Sequence, residues 1–170
     1  MNGADVLRDG LGRVAGTLPE VLDGLEASDL AWQPGTGANS IGWLAWHLIR
    51  VEDAQVAPLM DERQLWEDGP WAAAMGLEPD PSNSGYGHSP EQVAAIRPPD
   101  TEVLLDYFAR TRQRTEAYLD TLSDQDLDRV VDRSYDPPVT LGVRLVSIVE
   151  DCLQHLGQAA YLRGLLPSRS

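Results

Sequence analysis

Histidine is scarce in this chain: His47, His88 and His155 are the only three in 170 residues. His155 stands four residues after Asp151, so on a helix the carboxylate and the imidazole share one face, about one turn apart. His47 lies three residues after Leu44 and four before Val51, which puts it on the apolar side of a helix through that segment. Imidazole and carboxylate together suit zinc, nickel, iron or manganese, and three protein ligands leave positions open for water or substrate. Two ligand-type residues spaced i, i+4 on one helix, facing a third from a neighbour, are a way helical bundles build metal sites in their cores. The same residues also have plainer readings. His47 fits a hydrogen-bonded core residue, Asp151 beside Glu150 fits a solvated charge pair, and His88, within Gly85-Tyr86-Gly87-His88-Ser89-Pro90, fits a turn. The sharper reading of His88 is a catalytic group, or a fourth ligand, carried on a lid. Cys152 reads as a small apolar core residue.

The elements that must position these residues are helices. Leu7, Leu11, Val14, Leu18, Val21, Leu22 and Leu25 recur at the spacing of one helical stripe, with a kink or break expected at Pro19. Ser40 reads as the N-cap of a second helix whose inward series is Ile41, Leu44, Leu48, Val51 and Gln55, with Trp43 and Trp46 on its flanks and Pro58 near its end. A third helix is expected from about Thr101 to Leu122, with Arg110, Arg112, Arg114 and Glu116 on a solvated face. Thr140 caps a fourth, Leu141 to about Leu165, with Val146, Ile148, Val149, Cys152, Leu156, Ala159 and Leu162 inward. Between the second and third helices, Asp61 to Asp100 is rich in Pro and Gly and too poor in apolar mass for a core of its own. It reads as a long crossover or lid, with a short helix opening at Ser89-Pro90-Glu91. No long period-2 run calls for a sheet. The expectation is an all-α four-helix bundle, one domain over residues 1–170.

Composition narrows the function classes. The chain carries 27 acidic against 13 basic side chains, a formal net charge of -14, and every basic residue is Arg. Such a surface repels phosphate backbones and anionic lipid, so neither nucleic acid nor membrane is an expected partner, and a small-molecule substrate is. One cysteine excludes an internal disulfide framework and a cysteine-built zinc finger. No basic segment followed by an apolar run opens the chain, and a cytoplasmic protein is expected.

The segment Asn39-Ser40-Ile41-Gly42-Trp43-Leu44-Ala45-Trp46-His47-Leu48 resembles the helix-two signature of the DinB-like superfamily, N-S-I-x-x-L-x-x-H, whose histidine is a metal ligand. Leu30-Ala31-Trp32-Gln33-Pro34 resembles the L-x-W-x-P segment that precedes it. Asp151-Cys152-Leu153-Gln154-His155-Leu156-Gly157-Gln158 resembles the closing motif H-x-x-x-H-x-G-Q. The resemblance spans essentially the whole chain in order. It implies a four-helix bundle, often dimeric, holding a divalent metal with His47, Asp151 and His155. The departure is Asp151, where the family usually has His. A two-histidine, one-carboxylate set shifts preference toward harder metals, and Glu150 is a substitute only from about 100° further round the helix. The superfamily includes mycothiol-dependent maleylpyruvate isomerase and bacillithiol transferases. The resemblance therefore implies a metal-dependent transferase or related enzyme using a low-molecular-weight thiol. The alternatives are a metal- or small-molecule-binding bundle without turnover and a metal-dependent hydrolase. Zinc or nickel leads the metals implied, then iron or manganese. Mycothiol is a candidate co-substrate, in keeping with an Arg-only, Ala/Gly-rich composition of high-GC type.

Overall fold

The computed structural model describes residues 1–167. Eight helices follow in chain order: α1 (Gly3–Leu22), α2 (Ala27–Ala31), α3 (Ile41–Val56), α4 (Leu65–Asp68), α5 (Trp71–Ala74), α6 (Pro90–Ala95), α7 (Thr101–Leu119) and α8 (Leu141–Leu165). The four long ones, α1, α3, α7 and α8, form the bundle. α3 packs on α8, α8 on α1, α1 on α7 and α7 on α3, so the four close into a ring around one core.

Side-chain caps set where these helices start. Asn2 accepts from the Asp5 N–H at 2.8 Å while Asp5 accepts from the Asn2 N–H at 3.0 Å, a capping box. Ser40 Oγ accepts from Trp43 N at 3.1 Å, Asp100 from Val103 N at 2.9 Å and Thr140 from Val143 N at 3.4 Å. The predicted starts of the second, third and fourth long helices therefore stand. α1 runs through Pro19 without a break; the proline sits in its last turn, where only one backbone hydrogen bond is forfeited.

α3 is unlike its neighbours: fourteen of its sixteen residues are buried. A bundle helix ordinarily keeps a wet face. Here α2 and the crossover cover that face, and a Cβ on Gly42 would come within 2.8 Å of the Leu30 carbonyl. Trp43 and Trp46 are accordingly core residues and not flanking ones, whereas Gln55 is half-exposed. Arg50, Glu52 and Asp53 are fully buried. The predicted solvated face of α7 is corrected for the same reason, since Arg112 and Arg114 turn inward to meet them.

Two charge clusters result. Asp53 accepts from Arg50 Nη1 at 3.3 Å, from Tyr107 Oη at 2.6 Å and from Arg114 Nη2, and also from the N–H groups of Leu65 and Trp66 at 3.0 and 2.9 Å. One carboxylate thus pairs with two guanidinium groups and caps α4. Glu52 pairs with Arg112 at 3.1 Å, and burial pushes its carboxyl above the usual range.

Two further expectations are corrected. A two-stranded antiparallel ribbon, β1 (Val130–Asp132) with β2 (Val139–Thr140), leads into α8. It is too short for a period-2 signal. Val146 is exposed, and Leu141 and Leu145 take the inward positions on α8 instead. Trp66 and Trp71 of the crossover are buried within the chain, Trp71 Nε1 donating to Asp106 at 2.8 Å.

Because Asp53 is the shared anion of Arg50 and Arg114, Asp53→Ala takes the counter-ion from two guanidinium groups and the acceptor from two helix-start N–H groups. We expect a loss of about 3–5 kcal/mol in urea unfolding, the usual cost of breaking a buried ion pair. Asp120→Ala, at the exposed ion pair with Arg8, is the control and should change stability by less than about 1 kcal/mol.

Candidate metal centre

The α3–α8 contact is the most extensive between helices, and the candidate ligands lie across it. His47 comes from the middle of α3, Asp151 and His155 from consecutive turns of α8. One ligand atom from each, all lying within 4.8 Å of one another, forms the group that can hold a metal ion. His47 Nε2 is 3.9 Å from Asp151 Oδ1, and His155 Nδ1 is 3.2 Å from the same oxygen. The rings of His47 and His155 meet edge to face with centroids 4.5 Å apart.

The hydrogen bonds settle which imidazole nitrogens are free. His47 Nδ1 donates to the Ser84 carbonyl, and His155 Nδ1 donates to the Asp151 carbonyl at 2.9 Å. Both rings therefore carry the proton on Nδ1 and keep a lone pair on Nε2, the arrangement outer-shell carbonyls impose on ligating histidines. Asp151 Oδ1 is shielded from solvent, and among the described residues its nearest partner is His155 Nδ1 at 3.2 Å, a contact short of a well-formed hydrogen bond. An unsatisfied buried carboxylate oxygen is costly. A divalent cation shared with two imidazole lone pairs would satisfy it, so the donor set fits a two-histidine, one-carboxylate ion.

Electrostatics separates the two histidines. Burial pulls the His47 pKa below the ordinary imidazole value, opposed by the Ser84 carbonyl. The Asp151 carboxylate holds His155 above it. The Asp151 side chain is 31% exposed and that of His47 only 6%, so the centre opens toward solvent on the α8 side. Trp43 closes the other side, stacked on His47 with centroids 4.6 Å apart.

The remaining predicted residues fall outside the cluster. His88 accepts at Nδ1 from Trp43 Nε1 at 3.2 Å and donates from Nε2 to Asn83 Oδ1 at 2.8 Å, so both its nitrogens are engaged. Burial lowers its pKa. Glu150 is exposed, and Tyr86 projects into solvent at 93% exposure. Cys152 is buried under the centre, its Sγ 3.6 Å from the Leu48 carbonyl. Burial, with Glu52 and Asp151 adding to it, pushes its thiol well above the usual value.

Sequence reasoning missed the segment that meets the Nδ1 edge of His47. Residues 81–88 form a strap across α3. Gly85 lies at φ +95°, and a Cβ there would come within 2.7 Å of His47 Nδ1. The Gly-x-Gly pair at Gly85 and Gly87 was the visible signal. Its meaning, a close backbone approach, needed the histidine opposite.

A profile of the DinB superfamily matches residues 11–159. The chain belongs to the DinB superfamily. A crystal structure described as that of a conserved protein from Enterococcus faecalis is 31% identical, with a TM-score of 0.89 over 97% of each chain. That printed description gives no activity, and among curated proteins none matches. Like its superfamily, this DinB-like chain is a helical bundle with a candidate metal triad. No helix among its described residues is long and apolar enough to cross a membrane.

In the metal-free DinB-like protein the two triad histidines should titrate apart, His155 above and His47 below the ordinary imidazole value. The signs for stability are opposite. The raised His155 stabilises fully below its unfolded pKa and loses that contribution as pH rises through its folded pKa. The depressed His47 stabilises above its unfolded pKa and loses that contribution as pH falls through its folded one. An NMR titration of the ring protons checks the order, and Asp151→Asn should bring His155 down.

Proposed function

We propose that the protein is a metal-dependent enzyme that transfers a low-molecular-weight thiol to an electrophilic small molecule. One observation carries the reading: two imidazoles and a shielded carboxylate oxygen gather across the α3–α8 interface, one ligand atom of each within 4.8 Å of the others. His47, Asp151 and His155 would hold the ion, with zinc or nickel foremost and iron or manganese compatible with the carboxylate. A divalent ion there supplies acidification of a bound thiol or water near neutral pH.

The chain's own residues supply the rest. Ser84 and the Asp151 carbonyl fix the imidazole tautomers, and Trp43 shields His47 from water. Substrate approaches on the α8 side, where Asp151 is part-exposed. His88 is assigned the catalytic proton-handling role. Its lowered pKa keeps it neutral at physiological pH, and it borders a polar recess of 280 Å³ lined also by Asp80, Asn83 and Gln92. The reading places the protein in the cytoplasm, where small thiols stay reduced. Mycothiol is the thiol of choice. We also propose a homodimer, its contact formed by the exposed apolar residues Val143, Val146, Leu153, Tyr161 and Leu165 of α8; light scattering at micromolar concentration should give twice the chain mass.

Elemental analysis of tag-free protein should find about one divalent ion per chain. His47→Ala and His155→Ala should each lose most of it, and Asp151→Ala should weaken binding more than Glu150→Ala. Equal metal in all four variants would refute the triad. Mycothiol or a simple analogue should shift the visible spectrum of a cobalt-loaded sample, and His88→Ala should slow turnover while keeping the metal. A spectrum indifferent to every thiol would favour water as the nucleophile, and hydrolysis.

A further inference from the structure

Trp43, His47 and Arg50 stand at i, i+4 and i+7 on α3, one face of the helix, and all three reach the strap at residues 81–88. Arg50 is the most heavily engaged. Its Nε donates to the Asn83 carbonyl at 3.1 Å, and its Nη2 to the Pro81 carbonyl at 3.2 Å and to Gln64 Oε1 at 2.7 Å. Its Nη1 donates to Tyr107 Oη at 3.0 Å and to Asp53 Oδ2 at 3.3 Å. These five contacts match the five N–H bonds of a guanidinium. The group also lies over the Trp66 ring, 5.1 Å from its centroid. Nothing about Arg50 touches the candidate ligands directly.

Its effect on them runs through the backbone. Asn83, whose carbonyl Arg50 holds, is followed by Ser84, whose carbonyl accepts the His47 Nδ1 proton. Consecutive Cα atoms are only ~3.8 Å apart, so a shift of one carbonyl is passed to the next. Gly85 then presses on the same ring, with no space for a side chain. On the far side, His88 holds the Asn83 side chain.

We infer that Arg50 is a positioning residue for the candidate metal centre: by gripping the Pro81 and Asn83 carbonyls it sets the Ser84 carbonyl that fixes the tautomer and orientation of His47. The inference rests on the metal reading above, and its first readout needs no metal. A lysine keeps the charge beside Asp53 but cannot fork between two carbonyls and Gln64.

The test uses Arg50→Lys in the full chain, with Gly85→Ala as an independent disturbance of the strap. Long-range nitrogen–proton NMR on the metal-free protein should show His47 protonated at Nδ1 in the wild type and a mixture of tautomers in both variants. Zinc affinity by chelator competition should fall about 10- to 100-fold in both, the usual effect of losing an outer-shell partner. A folded Arg50→Lys variant that keeps the Nδ1 tautomer and binds zinc within about twofold of wild type overturns the inference. So does a wild type protonated at His47 Nε2. A purely structural role would lower the melting temperature and leave the tautomer unchanged. If Arg50→Lys does not fold, Arg50→Met combined with Asp53→Asn, which removes the Arg50–Asp53 charge pair together and keeps an amide oxygen facing Arg114, decides by the same readouts. A wild type that binds no zinc yet shows the tautomer shift in the variants would sink the metal reading and leave the positioning role standing.

Discussion

A helix buried on nearly every side cannot leave most of its polar side chains to water, and α3, with fourteen of its sixteen residues buried, is such a helix. Leaving a polar group there without a partner costs free energy, and most of the polar atoms it carries find one, Glu52 Oε2 and the indole N–H of Trp46 being the buried exceptions among the described residues. Arg50 and Asp53 answer each other and draw in Tyr107, Arg114 and the start of α4; Glu52 draws in Arg112. The crossover is therefore more than a connection. It supplies the carbonyls and amides that make a nearly enclosed α3 tolerable. In doing so it delivers a carbonyl to the inner edge of His47.

The same constraint explains the asymmetry of the candidate centre. Its α3 ligand is rigid, dry and held by backbone, while its α8 ligands sit on a helix with an open face. An ion bound there would be anchored from the inside and approached from the outside. Asp151 fits that division. A carboxylate that is shielded at one oxygen and part-exposed as a side chain can serve the ion without being sealed away from it.

What the sequence disclosed follows from how local each feature is. Ser40, Asp100 and Thr140 bind N–H groups three residues away, so the helix starts were legible. The Asp151–His155 pair is legible for the same reason, being set by helical pitch alone. His47 was legible as an inward residue because its neighbours on the stripe are apolar. The inward turn of Arg112 and Arg114 was hidden. Their charges match a solvent face, and only Glu52 and Asp53, about sixty residues away in sequence, reverse that. The strap was hidden too. Its role depends on three side chains of α3 that no spacing rule links to a loop of prolines and glycines. Val146 shows the opposite error: an apolar residue at roughly the right spacing was taken for core, though Leu145 beside it has the inward direction.

Cys152 gives the protein a built-in clock. Its thiol lies at the α3–α8 seam, buried and weakly bonded to the Leu48 carbonyl, with its acidity suppressed. An alkylating reagent in solution cannot reach it while that seam is closed, and no other cysteine competes for the reagent. At reagent concentrations high enough to outpace reclosing, the rate at which the chain is labelled is the rate at which α3 and α8 part; at lower ones it reports the fraction of chains with the seam open.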